Sequence, residues 1–208
     1  MGFPGRTFRY RTSIEIDLAK NETLPLIMDL FKTRMDIIEA AGKDNRATEI
    51  KYSSRWRGLA NTFKNYQGTL EGMQRADIMK QRKIQEEEFG KFLASKPELD
   101  AKYGGVMKQI SEQHEVLKSF NRKQLVLNQL IGATDLVQIA SRFNGFADRF
   151  AKDSVSGDMK PSEASVGEMK EYLPATFKNF EINVDKDVLT AFIVKAGELP
   201  AGQRIGRI

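Results

Sequence analysis

The spacing of hydrophobic positions predicts helices along nearly the whole chain after Ser13. Apolar residues recur at steps of three and four, which aligns them on one face of a helix. The first strong stripe covers residues 26–42. Asn21 or Thr23 is a candidate cap for this helix, because Pro25 fits the first turn, where its missing N–H costs nothing.

A second long helical pattern extends from residue 44 to residue 93. It contains Gly68 and Gly72, where a helix can bend or break. Further stops are predicted by turn-forming residues at Ser95-Lys96-Pro97, Tyr103-Gly104-Gly105, residues 151–165 and Tyr172-Leu173-Pro174. The pattern therefore predicts several helices joined by short connections.

The rest of the chain continues in the same way. Residues 106–120 and 125–150 predict two amphipathic helices. Asp185 is a candidate N-cap for a last helix through Lys195, which Gly197 and Pro200 close. The predicted fold is all-α, a bundle of long antiparallel helices.

The first twelve residues follow a different pattern. Turn formers at Gly2, Pro4 and Gly5 precede a short strand-like stretch over residues 7–12. No later segment predicts a partner strand, and an isolated strand is not stable alone. We therefore divide the chain into a strand and turn over residues 1–12, which belong to a sheet elsewhere, and a helical domain over residues 13–208.

Composition and charge narrow the function classes. The chain has 208 residues, of which 40% are hydrophobic, enough for one globular domain. Its 33 cations are interspersed with 28 acids, which indicates a mixed surface and disfavours nucleic acid as a partner. No apolar run approaches the length of about 18 residues that predicts a membrane span.

Candidate catalytic groups are few. There is no Cys, and the one His, His114, lies in a helical pattern with no candidate nucleophile nearby. Ser154 and Ser156 lie in DSVSGD, which lacks the glycine before a nucleophilic serine. A lone His without Cys makes a transition-metal site improbable, and consecutive acids such as Glu86 and Glu87 point in different directions. We predict no catalytic residue, no metal and no cofactor.

The most polar helical stretch is residues 52–68, YSSRWRGLANTFKNYQG, which contains the only tryptophan, Trp56. Asn61 and Asn65 lie one turn apart on a face beside its apolar stripe. Side-chain amides offer donors and an acceptor without charge, so this pair can hold a peptide amine or carbonyl. Solvent-facing amides, or amides that tie one helix to another, are the alternative interpretation.

Two motifs resemble those of a known family. The pattern S-x-W-x-G-x-x-N-x-F-K-N-x-x-G over residues 54–68, together with GFPGRTFRY over residues 2–10, resembles the S46 family of bacterial dipeptidyl peptidases. The stretch over residues 180–208 resembles the family less specifically. The family consists of serine exopeptidases that release dipeptides from free N-termini.

The resemblance implies that the chain is the helical cap domain of a chymotrypsin-like, double β-barrel serine peptidase, incomplete at its C-terminal end. It places the triad histidine and aspartate before Gly2 and the serine after Ile208, so this fragment is expected to be inactive alone. It assigns binding of the substrate's free α-amino group to Asn61 first and to Asn65 second.

The resemblance also implies partners and a compartment. These are a peptide substrate, the catalytic β-barrel of the same chain, a homodimer of the full-length enzyme, and the periplasm or cell surface of a Gram-negative bacterium. The alternative function is a non-catalytic helical interaction or scaffolding module. Residues 70–93 support it by a heptad-like pattern, although strict a and d positions are not sustained.

Overall fold

A computed structural model of the protein describes residues 11–155 and 163–205. All regular structure within these ranges is helical, which confirms the predicted all-α class. The helices are α1 (Ser13–Leu18), α2 (Leu24–Gly42), α3 (Arg46–Arg75), α4 (Ile78–Ala94), α5 (Pro97–Tyr103), α6 (Val106–Ala133), α7 (Asp135–Val155), α8 (Glu163–Lys178) and α9 (Ile182–Gly197). A π-helical turn (Ala19–Thr23) joins α1 to α2, and a 3₁₀ turn (Ala201–Gln203) follows α9. The strand predicted over residues 1–12 falls mostly on residues 1–10, which lie outside the described ranges.

Helical structure begins at Ser13, as predicted, in a short helix that precedes the stripe over residues 26–42. Thr12 caps α1, because its hydroxyl accepts a hydrogen bond from the Glu15 N–H while the Glu15 carboxylate accepts one from the Thr12 N–H. Neither Asn21 nor Thr23 caps a helix. Both lie in the π-helical turn that carries the chain directly into α2, just before Pro25, which has no N–H to donate.

The long pattern over residues 44–93 breaks at a different place from the one predicted. Helix α3 continues through both Gly68 and Gly72, and the break lies at Ala76 and Asp77, where Asp77 has a left-handed φ of 44°. A glycine inside a helix costs only about 1 kcal/mol. A 30-residue helix with a packed face tolerates two of them.

The stops at residues 95–97 and 103–105 are confirmed, since α4 ends at Ala94, α5 covers Pro97–Tyr103 and α6 begins at Val106. Two other predicted stops are wrong. Residues 151–155 and 163–165 are helical, although a loop was predicted there, and residues 156–162 lie outside the described ranges. Helix α8 also runs through Pro174 without ending.

The boundary between α6 and α7 lies at Thr134, not between residues 120 and 125. Thr134 is extended and 0% exposed. The Asp185 carboxylate accepts hydrogen bonds from the backbone N–H groups of Asp135 at 2.6 Å and Leu136 at 3.0 Å. Asp185 therefore caps α7 from α9 and does not cap its own helix, which begins three residues before it.

The core lies on both sides of α2. One cluster joins α2 to α6 and α9 and contains Leu30, Val126, Ala133, Val188, Phe192, Ala196 and Leu199. A second cluster joins α2 to α3 and contains Ile27, Phe31, Ile38, Tyr52, Leu59 and Val184. Because α2 and α3 are linked by a three-residue connection, they form an antiparallel pair. One face of α3 is thereby buried, and the opposite face is left to solvent.

Candidate functional site

The predicted amides lie together on the solvent-facing side of α3. Asn61 and Asn65 are exposed, one helical turn apart, and their side chains make no hydrogen bond to any other described residue. The alternative that they tie one helix to another is therefore wrong for the described ranges. Both amides are available to a ligand.

Two cations flank Asn61 on the same face. Arg57 precedes it by four residues and Lys64 follows it by three, so both are its neighbours on the helix surface. Both are exposed, and neither has an ion-pair partner among the residues that the structure describes. We call these three residues, together with Asn65, the polar row.

The charges of the polar row affect which ligand group it favours. A cation about 6 Å from another charge in water contributes on the order of 0.7 kcal/mol. Arg57 and Lys64 therefore favour an anionic group beside Asn61. They disfavour an ammonium there unless a carboxylate from elsewhere accompanies it.

Trp56 lies at the edge of the α2–α3 contact and not within the core. It is 36% exposed, so it does not belong to the buried core. Tyr52 and Leu59, one turn before and one turn after it on α3, are buried. The Trp56 ring instead lines a groove of about 830 Å³ between the C-terminal half of α2 and the N-terminal half of α3.

A buried ion pair fixes the other side of α3. The Arg55 guanidinium donates to both carboxylate oxygens of Asp135, at 2.7 and 3.3 Å. The Asp135 side chain is 6% exposed. Because Asp135 opens α7 and Asp185 caps it from α9, this pair connects α3 to both helices.

Arg34 of α2 completes what we call the charge cluster, which comprises Arg34, Arg55, Asp135 and Asp185. Its guanidinium donates at 3.3 Å to two backbone carbonyls at the C-terminal end of α6. Burial, reinforced by Arg55, lowers the pKa of Arg34 to about 10, while Asp135 and Asp185 raise it. Arg34 remains charged at neutral pH.

Sequence reasoning did not find the charge cluster. The one visible signal was Arg34, a charged residue inside the apolar stripe of α2. Its partners lie about one hundred residues or more away in sequence, so local periodicity could not identify them.

His114 packs α6 against α1. Its Nε2 atom lies 3.9 Å from a carboxylate oxygen of Glu15. Nearby, the hydroxyl and backbone N–H of Ser13 each donate to Glu86 of α4 at 2.6 Å. These contacts join three helices at the beginning of α1.

Within the described ranges, no cluster of three or more His, Asp or Glu side chains is placed to hold a metal ion. None of the helices described there combines the length and the apolar character needed to cross a bilayer.

Comparisons with known proteins match the whole chain. The family model described as Peptidase S46 matches residues 1–206. The chain is 28% identical to dipeptidyl-peptidase 7 of Capnocytophaga gingivalis over 100% of its own length and 29% of the relative's. It is 29% identical to dipeptidyl-peptidase 7 of Porphyromonas gingivalis, over 93% and 25% of the two lengths.

A third relative carries a different name. The chain is 23% identical to the Asp/Glu-specific dipeptidyl-peptidase of Shewanella putrefaciens, over 96% of its own length and 27% of the relative's. The chain thus spans between a quarter and three tenths of the length of these three relatives.

Proposed function

Because this chain belongs to the peptidase S46 family, we propose that it is the helical cap and substrate-binding domain of a serine dipeptidyl peptidase. In this proposal the domain packs over a chymotrypsin-like β-barrel to which residues 1–12 contribute a strand. The barrel supplies the Ser-His-Asp triad, so the domain alone is inactive. The parent enzyme acts as a homodimer in the periplasm or at the cell surface.

The observation that supports this proposal most directly is the free amide pair on a fixed helix. Asn61 and Asn65 face solvent without partners, while the opposite side of α3 is held by the core and the charge cluster. An amide oxygen on a rigid element can accept a hydrogen bond from a substrate ammonium without reorganising. A dipeptidyl peptidase needs a fixed group that binds the peptide's free amine, because the bond it cleaves lies two residues from that amine.

Electrostatics add a requirement to the proposal. Arg57 and Lys64 lie beside Asn61 and repel an ammonium. Recognition of a free N-terminus therefore needs a carboxylate opposite the polar row. We propose that the barrel supplies it when it closes over this face, which also excludes water and strengthens the hydrogen bond.

The test uses the full-length parent enzyme and one peptide in two forms, with a free N-terminus and N-acetylated. Asn61→Ala is expected to lower kcat/KM on the free peptide by about tenfold or more, because a hydrogen bond to a charged group is worth roughly 1.5–3 kcal/mol. Asn65→Ala is expected to have a smaller effect. Gln74→Ala, which removes another exposed amide of α3, is the matched control.

The possible outcomes test separately whether Asn61 binds the amine and whether the barrel supplies catalysis. Release of dipeptide from the free form alone, reduced by Asn61→Ala and not by Gln74→Ala, supports amine recognition by Asn61. Unchanged kinetics in Asn61→Ala, or equal cleavage of the free and acetylated forms by the unmodified enzyme, contradicts it. Activity of the 208-residue chain alone would contradict the division of labour with the barrel.

A second function, a non-catalytic helical interaction or scaffolding module, is favoured by one observation. Helix α4 exposes three large apolar side chains, those of Ile84, Phe89 and Phe92. Exposed apolar surface of this kind is typical of interaction sites. Light scattering on the isolated chain tests self-association: a mass that rises with concentration favours this function, and a constant monomer mass opposes pairing between copies.

A further inference from the structure

The groove between α2 and α3 has two helical walls and one closed end. Its lining comprises Asp36, Ile38, Glu39, Ala40, Gly42, Lys43, Glu49, Tyr52, Ser53, Trp56 and Arg57. The helices approach most closely at the connection, where a Cβ on Gly42 would lie 3.1 Å from the Cβ of Glu49. From there the groove extends along both helices to Trp56 and Arg57. Its volume of about 830 Å³ lies within the range typical of small-molecule and peptide side-chain sites.

Two of its three carboxylates are already neutralised from outside the groove. Asp36 pairs with Lys32 at 2.7 Å, and Glu49 pairs with Arg46 at 2.7 Å. Neither Lys32 nor Arg46 lines the groove. These two acids therefore contribute little net attraction for a cationic ligand.

The third carboxylate, Glu39, has no ion-pair partner among the described residues. Lys43 follows the end of α2 four residues later, a spacing that favours an ion pair. With Lys32 and Lys43, the α2 side carries as many cations as carboxylates, whereas on the α3 side Arg57 is added to the Arg46–Glu49 pair.

Arg57 is the cation that the α3 wall contributes to the groove. It has no ion-pair partner among the described residues, and the positions one turn away on α3 are Ser53, Ser54, Ala60 and Asn61. A guanidinium presents planar donors that match a carboxylate in a bidentate arrangement. Next to it, the partly exposed indole of Trp56 offers an apolar surface.

We propose that the α2–α3 groove binds short peptides that carry a free C-terminal carboxylate next to an apolar side chain. Arg57 holds the carboxylate, and Trp56 with Ile38 contacts the side chain. This site differs from the amine-recognition role of Asn61, and its chemistry does not depend on that role. The source of such ligands rests on the proposed function, since every dipeptide that a dipeptidyl peptidase releases carries a free C-terminal carboxylate.

Trp56 also provides the readout, because it is the only tryptophan of the chain. The 208-residue chain is titrated with alanyl-leucine, with alanyl-leucine amide and with glycyl-glycine while indole fluorescence is recorded. We expect a saturable change with alanyl-leucine. Affinity for the amide is expected to be about fivefold lower, which corresponds to roughly 1 kcal/mol for an exposed charged contact. Glycyl-glycine, which lacks the apolar side chain, should also bind more weakly.

The variants locate the contact. Arg57→Gln is expected to lower affinity for alanyl-leucine by about fivefold and to leave affinity for the amide unchanged. Arg75→Gln is the matched control, because Arg75 is an exposed arginine at the far end of the same helix. Unfolding midpoints of both variants confirm that the helix is intact.

Three results would overturn the proposal. They are equal affinities for the acid and the amide, alanyl-leucine binding by Arg57→Gln like that of the unmodified chain, and no saturable change at millimolar peptide by either fluorescence or peptide-observed NMR. None of these measurements uses peptidase activity. Failure of the groove site is therefore distinguishable from failure of the proposed peptidase function.

Discussion

Arg55 and Arg57 lie two residues apart on one helix and have opposite environments. Two residues turn an α-helix by about 200°, so the two side chains leave α3 on opposite sides. Arg55 points inward and pairs with the buried Asp135, whereas Arg57 is exposed at the end of the groove and has no ion-pair partner among the described residues. The inward side of α3 uses polar groups to fix the helix, and the outward side leaves them available for a ligand.

The two sides also differ in what a lost side chain would cost. A buried ion pair need not stabilise a fold relative to an apolar pair, but removal of one partner leaves a charge uncompensated. An exposed cation or amide stays hydrated when a neighbour is lost. Substitutions on the inward side should therefore affect folding, and those on the outward side should affect binding alone.

The largest effect is expected from Asp185→Ala. Its carboxylate accepts two backbone hydrogen bonds at the start of α7 and lies in the charge cluster with Arg34. We expect a loss of about 3 kcal/mol in the free energy of unfolding, measured by urea denaturation. Asp187→Ala, an exposed acid on the same helix, is the control and should change it by less than about 0.5 kcal/mol. Equal losses of stability in the two variants would mean that the Asp185 cap of α7 does not stabilise the fold.

The second-largest loss of stability is expected from an apolar residue on the inward side of α3. Leu59→Ala removes a buried side chain of α3 and should lower the free energy of unfolding by about 2.5 kcal/mol. Ile50→Ala, on the same helix but 60% exposed, should change it by less than about 0.5 kcal/mol. A comparable loss in both variants would contradict the assignment of faces.

The arginine pair tests the comparison most directly. Arg55→Gln should cost about 1–2 kcal/mol, since it leaves Asp135 buried without its cation, although partial exposure of Arg55 moderates the effect. Arg57→Gln should change the free energy of unfolding by less than about 0.5 kcal/mol. A larger loss of stability in Arg57→Gln than in Arg55→Gln would contradict the assignment of Arg55 to the inward side of α3 and of Arg57 to the outward side.

The smallest effect is expected at the amides. Asn61→Ala and Asn65→Ala remove exposed side chains without partners and replace them with a better helix former. Each should leave stability unchanged or raise it by up to about 0.5 kcal/mol. A loss of more than about 1 kcal/mol in thermal or urea unfolding would indicate that the amides have a structural role.

Much of the fold could be predicted because it follows from local chemistry. The apolar period predicted the helical class, and Pro97 and the Gly104-Gly105 pair marked real ends. The prediction failed at two positions. Helix α6 ends at Thr134, where the Asp185 carboxylate of α9 caps the start of α7, and α8 continues through Pro174 although proline disfavours a helix interior.

Only part of the candidate site could be predicted from the sequence. The periodicity placed Asn61 and Asn65 one turn apart on a face beside the apolar stripe; the structure has them one turn apart and exposed, on the side of α3 opposite the core. The periodicity could not tell that Trp56 would line a groove, because exposure of a large ring depends on how closely α2 approaches. It also could not distinguish Arg55 from Arg57, since Asp135 lies eighty residues away in sequence.

The sequence by itself determined that this protein is helical, where its apolar stripes lie and to which family its motifs belong. These properties depend on residues a few positions apart, or on short motifs read directly. Only the tertiary structure decided that Asp185 caps α7, that Arg55 is paired and Arg57 exposed, and that a groove lies beside Trp56. Such choices depend on which helices pack together, and burial then determines which polar groups must find partners.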